Sequence, residues 1–226
     1  MLSAIFMEQS QKWSPLALSH VSKVVAVVHD FVFRLLNTIC PETLVRDQLW
    51  NEHLVDRLVN TYRKAIGHTQ FLLTMERSSI PSTFNHYYNT TLQQKRAERL
   101  SERLMEKGYE FKGFEGTYVR VKEVEKCVVN KSNEQQACDD IMDSLVSYYK
   151  VSRKRFVDVV CQQAIFHYLL SADDGPLRIF NPELVMAMDS DQLDAIAGED
   201  DESRESRRSL EREIQSLEAA LKVLRN

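Results

Sequence analysis

The stretch Glu134–Leu170, EQQACDDIMDSLVSYYKVSRKRFVDVVCQQAIFHYLL, decides the fold. Ile141, Leu145, Tyr148, Tyr149, Phe156, Val159, Val160, Gln163, Phe166 and Leu170 recur at spacings that keep them near one helix face. Ser152, Arg153, Lys154 and Arg155 fall on the more polar turn. Unbroken, such a helix is about 55 Å long at ~1.5 Å per residue. Its apolar stripe cannot be buried by the helix alone, so a helical partner of similar length is predicted.

A partner of that length precedes it. From Pro41 to about Arg77, Leu44, Val55, Leu58, Tyr62, Ala65, Ile66, Thr69 and Leu73 lie close to one stripe, again about 54 Å of helix if unbroken. Upstream, Ser14-Pro15 has the form of an N-cap followed by proline at the first helical position, and Leu18, Val21, Val25, Val28, Val32 and Leu35 continue the helical period towards Cys40-Pro41. Ser78–Thr83 reads as a break that caps a further helix through Phe84–Tyr88. Residues 93–107 read as a charged extension of that helix. Residues 108–133 read as irregular, because Gly108, Gly113 and Gly116 collect there, with one short strand expected within Gly116–Lys122.

Beyond Leu170 the chain breaks at Asp173-Asp174-Gly175-Pro176 and at Asn181-Pro182, with short helices expected around Glu183–Met188 and Asp191–Ala197. Gly198–Ser206 reads as a polar linker. Leu210, Ile214, Leu217, Leu221 and Leu224 then alternate spacings of four and three, the a/d seam of a coiled coil over two heptads. Composition agrees with a helical chain: Gly (6) and Pro (5) make 11 of 226 residues, less than half the usual share of about 12% and too few for the turns of an all-β fold.

Charge and motif content narrow the function classes. A net charge of -4 offers no global attraction to nucleic acid. Cys40, Cys127, Cys138 and Cys161 form no C-x-x-C pair or zinc spacing and read as reduced thiols. The most apolar run, Val21–Leu36, is interrupted by Lys23, His29, Asp30 and Arg34, so no membrane span is expected, and the N-terminus lacks the form of a signal peptide. The sequons at Asn89 and Asn130 are then chance matches. Gly108 and Gly113 stand five apart like the glycines of a phosphate loop, but Phe114-Glu115 follows where Lys and Ser/Thr are needed. No catalytic, metal or cofactor set is expected. Phe84, His86, Tyr87 and Tyr88 read as core and cap in preference to a stacking surface. Lys150, Arg153, Lys154 and Arg155 read as a solvated face, with acidic lipid or a partner carboxylate as the alternative. Asp139-Asp140 is assigned to a helix N-terminus and Asp173-Asp174 to a turn, in preference to metal sites.

Several stretches together resemble the stalk and GTPase effector region of dynamin-superfamily large GTPases, of the dynamin and Mx-like fungal type. They are Phe6–Trp13 (FMEQSQKW), His20-Val21, Asp30-Phe31, Leu49-Trp50, Tyr62–Ala65 (YRKA), Phe71–Arg77 (FLLTMER) and Pro81–Asn89 (PSTFNHYYN). In the second half they are Asp140-Ile141, Tyr148–Val151 (YYKV), Lys154–Asp158 (KRFVD), Val160-Cys161, Pro176-Leu177, Phe180–Glu183 (FNPE) and Ile196–Asp200 (IAGED). The resemblance implies an all-α, elongated antiparallel helical bundle with an irregular tip insertion and a C-terminal heptad helix. Its parts are middle-domain stalk helices at 1–92, a variable stalk-tip insertion at 93–133, and the effector region completing the stalk at 134–198. A linker at 199–206 and a bundle-signalling helix at 207–226 follow.

What the resemblance implies for function is a non-catalytic module for oligomerisation and GTPase regulation that, with a GTPase head, promotes membrane remodelling or fission. The P-loop, switch and guanine-specificity motifs have no counterpart here, so no enzyme activity is expected, and GTP and Mg2+ enter only through a GTPase domain. Tyr148, Tyr149, Lys150, Arg153, Lys154, Arg155 and Phe156 are the expected assembly residues, and Leu210, Ile214, Leu217, Leu221 and Leu224 the bundle-signalling seam. Expected partners are further copies of the chain and full-length dynamin-like proteins, with membrane contact through 93–133 and no nucleic acid. The expected location is cytoplasmic, peripheral at organelle membranes. Two alternatives stand: a part of an active dynamin-type GTPase whose head binds and hydrolyses GTP, and a dominant-negative or regulatory helical partner.

Overall fold

Glu134–Leu170 is helical throughout: helix α7 (Asn133–Val159) passes without interruption into a π-wound stretch, Val160–Ser171. The Ser132 side chain caps α7 by accepting the Gln135 N–H at 3.2 Å. The computed structural model describes residues 1–78, 80–106, 108–110, 117–129 and 132–225. Before α7 come α1 (Leu2–Gln9), α2 (Trp13–Ile39), α3 (Thr43–Gln48), α4 (Val55–Ser78), α5 (His86–Met105) and α6 (Val121–Val129). After it come α8 (Pro182–Met186), α9 (Ser190–Ala197) and α10 (Asp201–Arg225). A second π-wound stretch, Leu49–Leu54, joins α3 to α4. Among the described residues the fold is all-α apart from one antiparallel pairing between β1 (Tyr109–Glu110) and β2 (Thr117–Tyr118).

The chain divides into two compact units, Met1–Val25 with Arg63–Tyr168 and Ala26–Tyr62 with Leu169–Asn226. In the first, α7 is the central helix. Its core combines Phe6 and Trp13 of the amino-terminal helices, Leu73 of α4, and Leu145, Tyr148, Phe156, Val160 and Ala164. Helix α5 runs antiparallel to α7, since contacts at its start reach Lys150 and Lys154 while those near its end reach Asp139 and Asp140. Helix α4 also opposes α7 in direction: Glu76 meets Arg155, and His68 meets Gln163 further along. In the second unit α3 packs against α9. Trp50 lies edge-on to His29 at 5.3 Å and Phe33 at 5.0 Å. Thr61 Oγ1 donates to the Asp174 carbonyl at 3.3 Å.

Short elements follow local chemistry. Asn181 caps α8 with Pro182 in its first turn, and Asp189 and Gln192 form a reciprocal capping box on α9. A Cβ at Gly198 would stand 2.1 Å from the Asp194 carbonyl oxygen, so the chain leaves α9 through a residue without a side chain.

Four sequence expectations change. The amino terminus forms α1, ahead of the helix expected from Ser14, and α2 begins at Trp13 with Pro15 in its first turn, where its missing N–H costs nothing. Within 108–133, expected to be irregular, α6 occupies Val121–Val129. The linker at 199–206 is helical from Asp201, because Asp200 caps α10 by accepting the Ser203 N–H at 2.8 Å and its hydroxyl at 2.7 Å. A membrane-length run does exist by length and composition: within Leu2–Ile39 an 18-residue window reaches a mean hydropathy of 1.5, because a window of that length can exclude one of the three charges Lys23, Asp30 and Arg34. Within it Val21, Val28, Val32 and Leu36 are buried in the protein. The Gly113-Phe114-Glu115 reading, Gly116 and the first two residues of the sequon at Asn130 lie outside the described residues.

The α5–α7 seam is largely ionic. Arg96 pairs with Asp140 at 3.1 Å, Arg103 with Asp139 at 3.0 Å, and Arg99 with Asp139 at 3.3 Å and with Asp143. Asp143 is buried, whereas Arg96 and Asp140 are exposed. Removing Arg99 strands a buried carboxylate, a loss of roughly 3–5 kcal/mol, while an exposed pair contributes about 1 kcal/mol or less. In urea denaturation, Arg99→Leu is therefore expected to lose several times more stability than Arg96→Leu; equal losses would refute this division.

Candidate assembly and effector surfaces

The expected assembly residues, Tyr148–Phe156, lie on α7 but face in different directions. Tyr148 and Phe156 are buried in the core. Phe6 stands edge-on to Tyr148 at 5.1 Å, and Trp13 stacks on Phe156 at 5.4 Å with ring planes 18° apart. Tyr149 is half-buried and its hydroxyl accepts the Trp13 Nε1–H at 2.9 Å. These three therefore serve intramolecular packing. Lys150, Arg153 and Lys154 are exposed.

Arg155 is exposed but engaged. Its Nε donates to Glu76 Oε2 at 3.1 Å and its Nη2 to Glu76 Oε1 at 2.5 Å, and Ser152 Oγ donates to the same Oε1 at 2.5 Å. The hydrogen bond to Glu76 raises the Arg155 pKa above its ordinary value, so the guanidinium is charged throughout the working range. This fork fixes α7 against the end of α4.

Lys150 and Lys154 converge on Tyr87 in the first turn of α5, with their Nζ atoms 5.2 and 5.1 Å from its ring centroid. The hydrogen bond from Lys150 holds the Tyr87 phenol below the usual tyrosine range, and the charges of both lysines add to it. Of the neighbouring aromatics read as core and cap, Phe84 is fully exposed, Tyr88 packs against the core, and Asn85 is the N-cap, accepting the Tyr87 N–H at 3.0 Å.

The heptad seam is open to solvent along its length. Leu210, Ile214, Leu217 and Leu221 are 54% to 59% exposed and Leu224 is 84% exposed. These five residues form an apolar stripe on α10, beside polar faces rich in arginine and glutamate.

Residues 133–226 match the family model of the dynamin GTPase effector domain. The chain carries a dynamin GTPase effector domain. Its matched segment thus starts at the first residue of α7 and takes in every later helix, and it coincides with the second half of the chain, where the residue-level resemblance placed the effector region. The domain is an effector, distinct from the catalytic GTPase domain. No curated protein and no solved structure matches the chain.

Within the effector domain, sequence reasoning missed the role of Asp139 and Asp140. They are not helix-terminal acids; with Asp143 they bind the arginines of α5. The signal was present in the sequence as Arg96, Arg99 and Arg103 at spacings of three and four, with Asp139 and Asp143 four apart on α7. Asp173 does serve a turn, pairing with Arg178 at 2.5 Å, where the Gly175 N–H donates to the Ala172 carbonyl at 2.9 Å. Among the described residues no group of three His, Cys, Asp or Glu side chains is placed to hold a metal.

The tyrosines give a pH-dependent check. Burial pushes Tyr62 up to about 12, whereas Lys150 holds Tyr87 low. In an NMR titration with ring-labelled tyrosine, Tyr87 is expected to ionise well before Tyr62, and Lys150→Gln to move Tyr87 up towards the ordinary value of about 10. A Tyr87 midpoint unchanged by Lys150→Gln would refute the contact.

Proposed function

We propose that this chain is a non-catalytic oligomerisation and GTPase-effector module of a dynamin-like protein. It promotes self-assembly and, with a GTPase head that binds GTP and Mg2+, membrane remodelling or fission. The observation that carries this reading is the open heptad seam of α10, at the carboxyl end of the effector domain. A lone two-heptad seam gains little stability by itself and favours partner helices. Lys150, Arg153 and Lys154, exposed on α7, are the cations that support assembly contacts. The partners are other copies of this chain and full-length dynamin-like proteins. Membrane contact falls to 93–133, supported by exposed Met105 and Val121, and the location is cytoplasmic and peripheral at organelle membranes.

The same seam also supports a regulatory reading, in which the chain enters the assemblies of a complete dynamin-like protein and weakens them. Sedimentation velocity over a concentration series tests the main proposal. Association rising with concentration is expected, and the double substitution Leu217→Asp with Leu221→Asp should shift the protein to monomer. A strictly monomeric parent up to high micromolar protein would overturn the self-assembly reading. Co-precipitation with a full-length dynamin-like protein, lost in the same double variant, separates out the regulatory role.

A further inference from the structure

We propose that the groove between the start of α2 and the middle of α7 binds a long-chain amphiphilic anion, an acyl carboxylate. The groove encloses about 880 Å³, within the ~300–1,000 Å³ usual for small-molecule sites. Its floor is built from Trp13, Tyr149, Phe156 and Val160, three of them aromatic. The single N–H donor of Trp13 is already given to Tyr149, so the indole offers the groove only carbon. Exposed Leu16 and Val157 extend the apolar walls.

Shape and charge together select the ligand. On α7 the lining runs from Tyr149 to Cys161, about 18 Å at ~1.5 Å per residue. A channel of that length suits an extended chain better than a compact ring system. Lys12 immediately precedes Trp13, whose indole donates to Tyr149, and Arg153 lies one helical turn beyond Tyr149 on α7, so both cations line the part of the groove around Tyr149. Neither is held in an ion pair among the described residues. Glu8 is the one carboxylate in the lining. An anionic headgroup there meets two cations, while its tail follows Phe156 and Val160 towards Cys161.

The source of the chain, free in solution or part of a bilayer, is separated by the test. Sodium dodecanoate, kept below its micelle-forming concentration, is titrated into the full chain by calorimetry, with dodecanol as the neutral control. One saturable site is expected, with dodecanol bound about tenfold more weakly, the loss expected when a charge-assisted headgroup contact is removed. Lys12→Gln with Arg153→Gln should weaken dodecanoate to the same extent, and Val157→Glu, which places a carboxylate beside the tail, should abolish binding. All three positions are exposed, and unchanged thermal melts confirm that the variants fold. No saturable binding, equal affinity for dodecanol, or affinity unchanged in both variants would overturn the proposal. So would co-sedimentation with phosphatidylglycerol vesicles that is lost in Val157→Glu while dodecanoate fails to bind, which would assign the face to a lipid surface.

Discussion

The Trp13 indole, stacked on Phe156 and hydrogen-bonded to Tyr149, is the contact on which the first unit depends. It joins the amino-terminal helices to α7 across more than half the chain. Phe6 completes the cluster edge-on to Trp13 at 5.7 Å and to Tyr148 at 5.1 Å. Edge and offset contacts of this kind add roughly 0.5–1.5 kcal/mol each to the burial of the rings. The aromatic spacing on α7 thereby fixes both the position of α2 and the floor of the groove beside it.

Helix α7 carries two kinds of contact at once. Its aromatic face meets Phe6, Trp13 and Leu73, while its aspartates meet the arginines of α5. The first supplies area removed from water, which stabilises without strong direction. The second contributes less free energy but constrains which turns of α5 and α7 align, since each arginine has a carboxylate only in one register. The Glu76–Arg155–Ser152 fork does the same for α4, so the side chains that look most available for assembly in a linear sequence are in part committed within the unit.

Much of the helical architecture was legible. The three-and-four spacing in Glu134–Leu170, the break at Ser78–Thr83, and the break at Asn181-Pro182 with the short helices after it all depend on interactions between near neighbours in the chain, and each appears close to its expected place. Misreadings arose where a local polar signal competed with helix propensity. Residues 201–206 looked like a linker because they are charged, yet charged residues propagate a helix well once Asp200 caps it. In the same way 108–133 looked irregular from its glycines, although Val121–Val129 contains none.

The sequence by itself determined a mostly helical chain, a heptad seam at Leu210–Leu224 and a kinship with dynamin effector regions, because periodicity and motif order need no knowledge of what touches what. Only the tertiary structure decided which of Tyr148, Tyr149, Lys150, Arg153, Lys154, Arg155 and Phe156 face solvent. Successive helical residues turn by about 100°, so seven neighbours must point several ways, and the helices packed around α7 choose which are covered. The same holds for Asp139, Asp140 and Asp143: their chemistry is local, but their partners lie more than thirty residues away and are found only when α5 and α7 lie side by side.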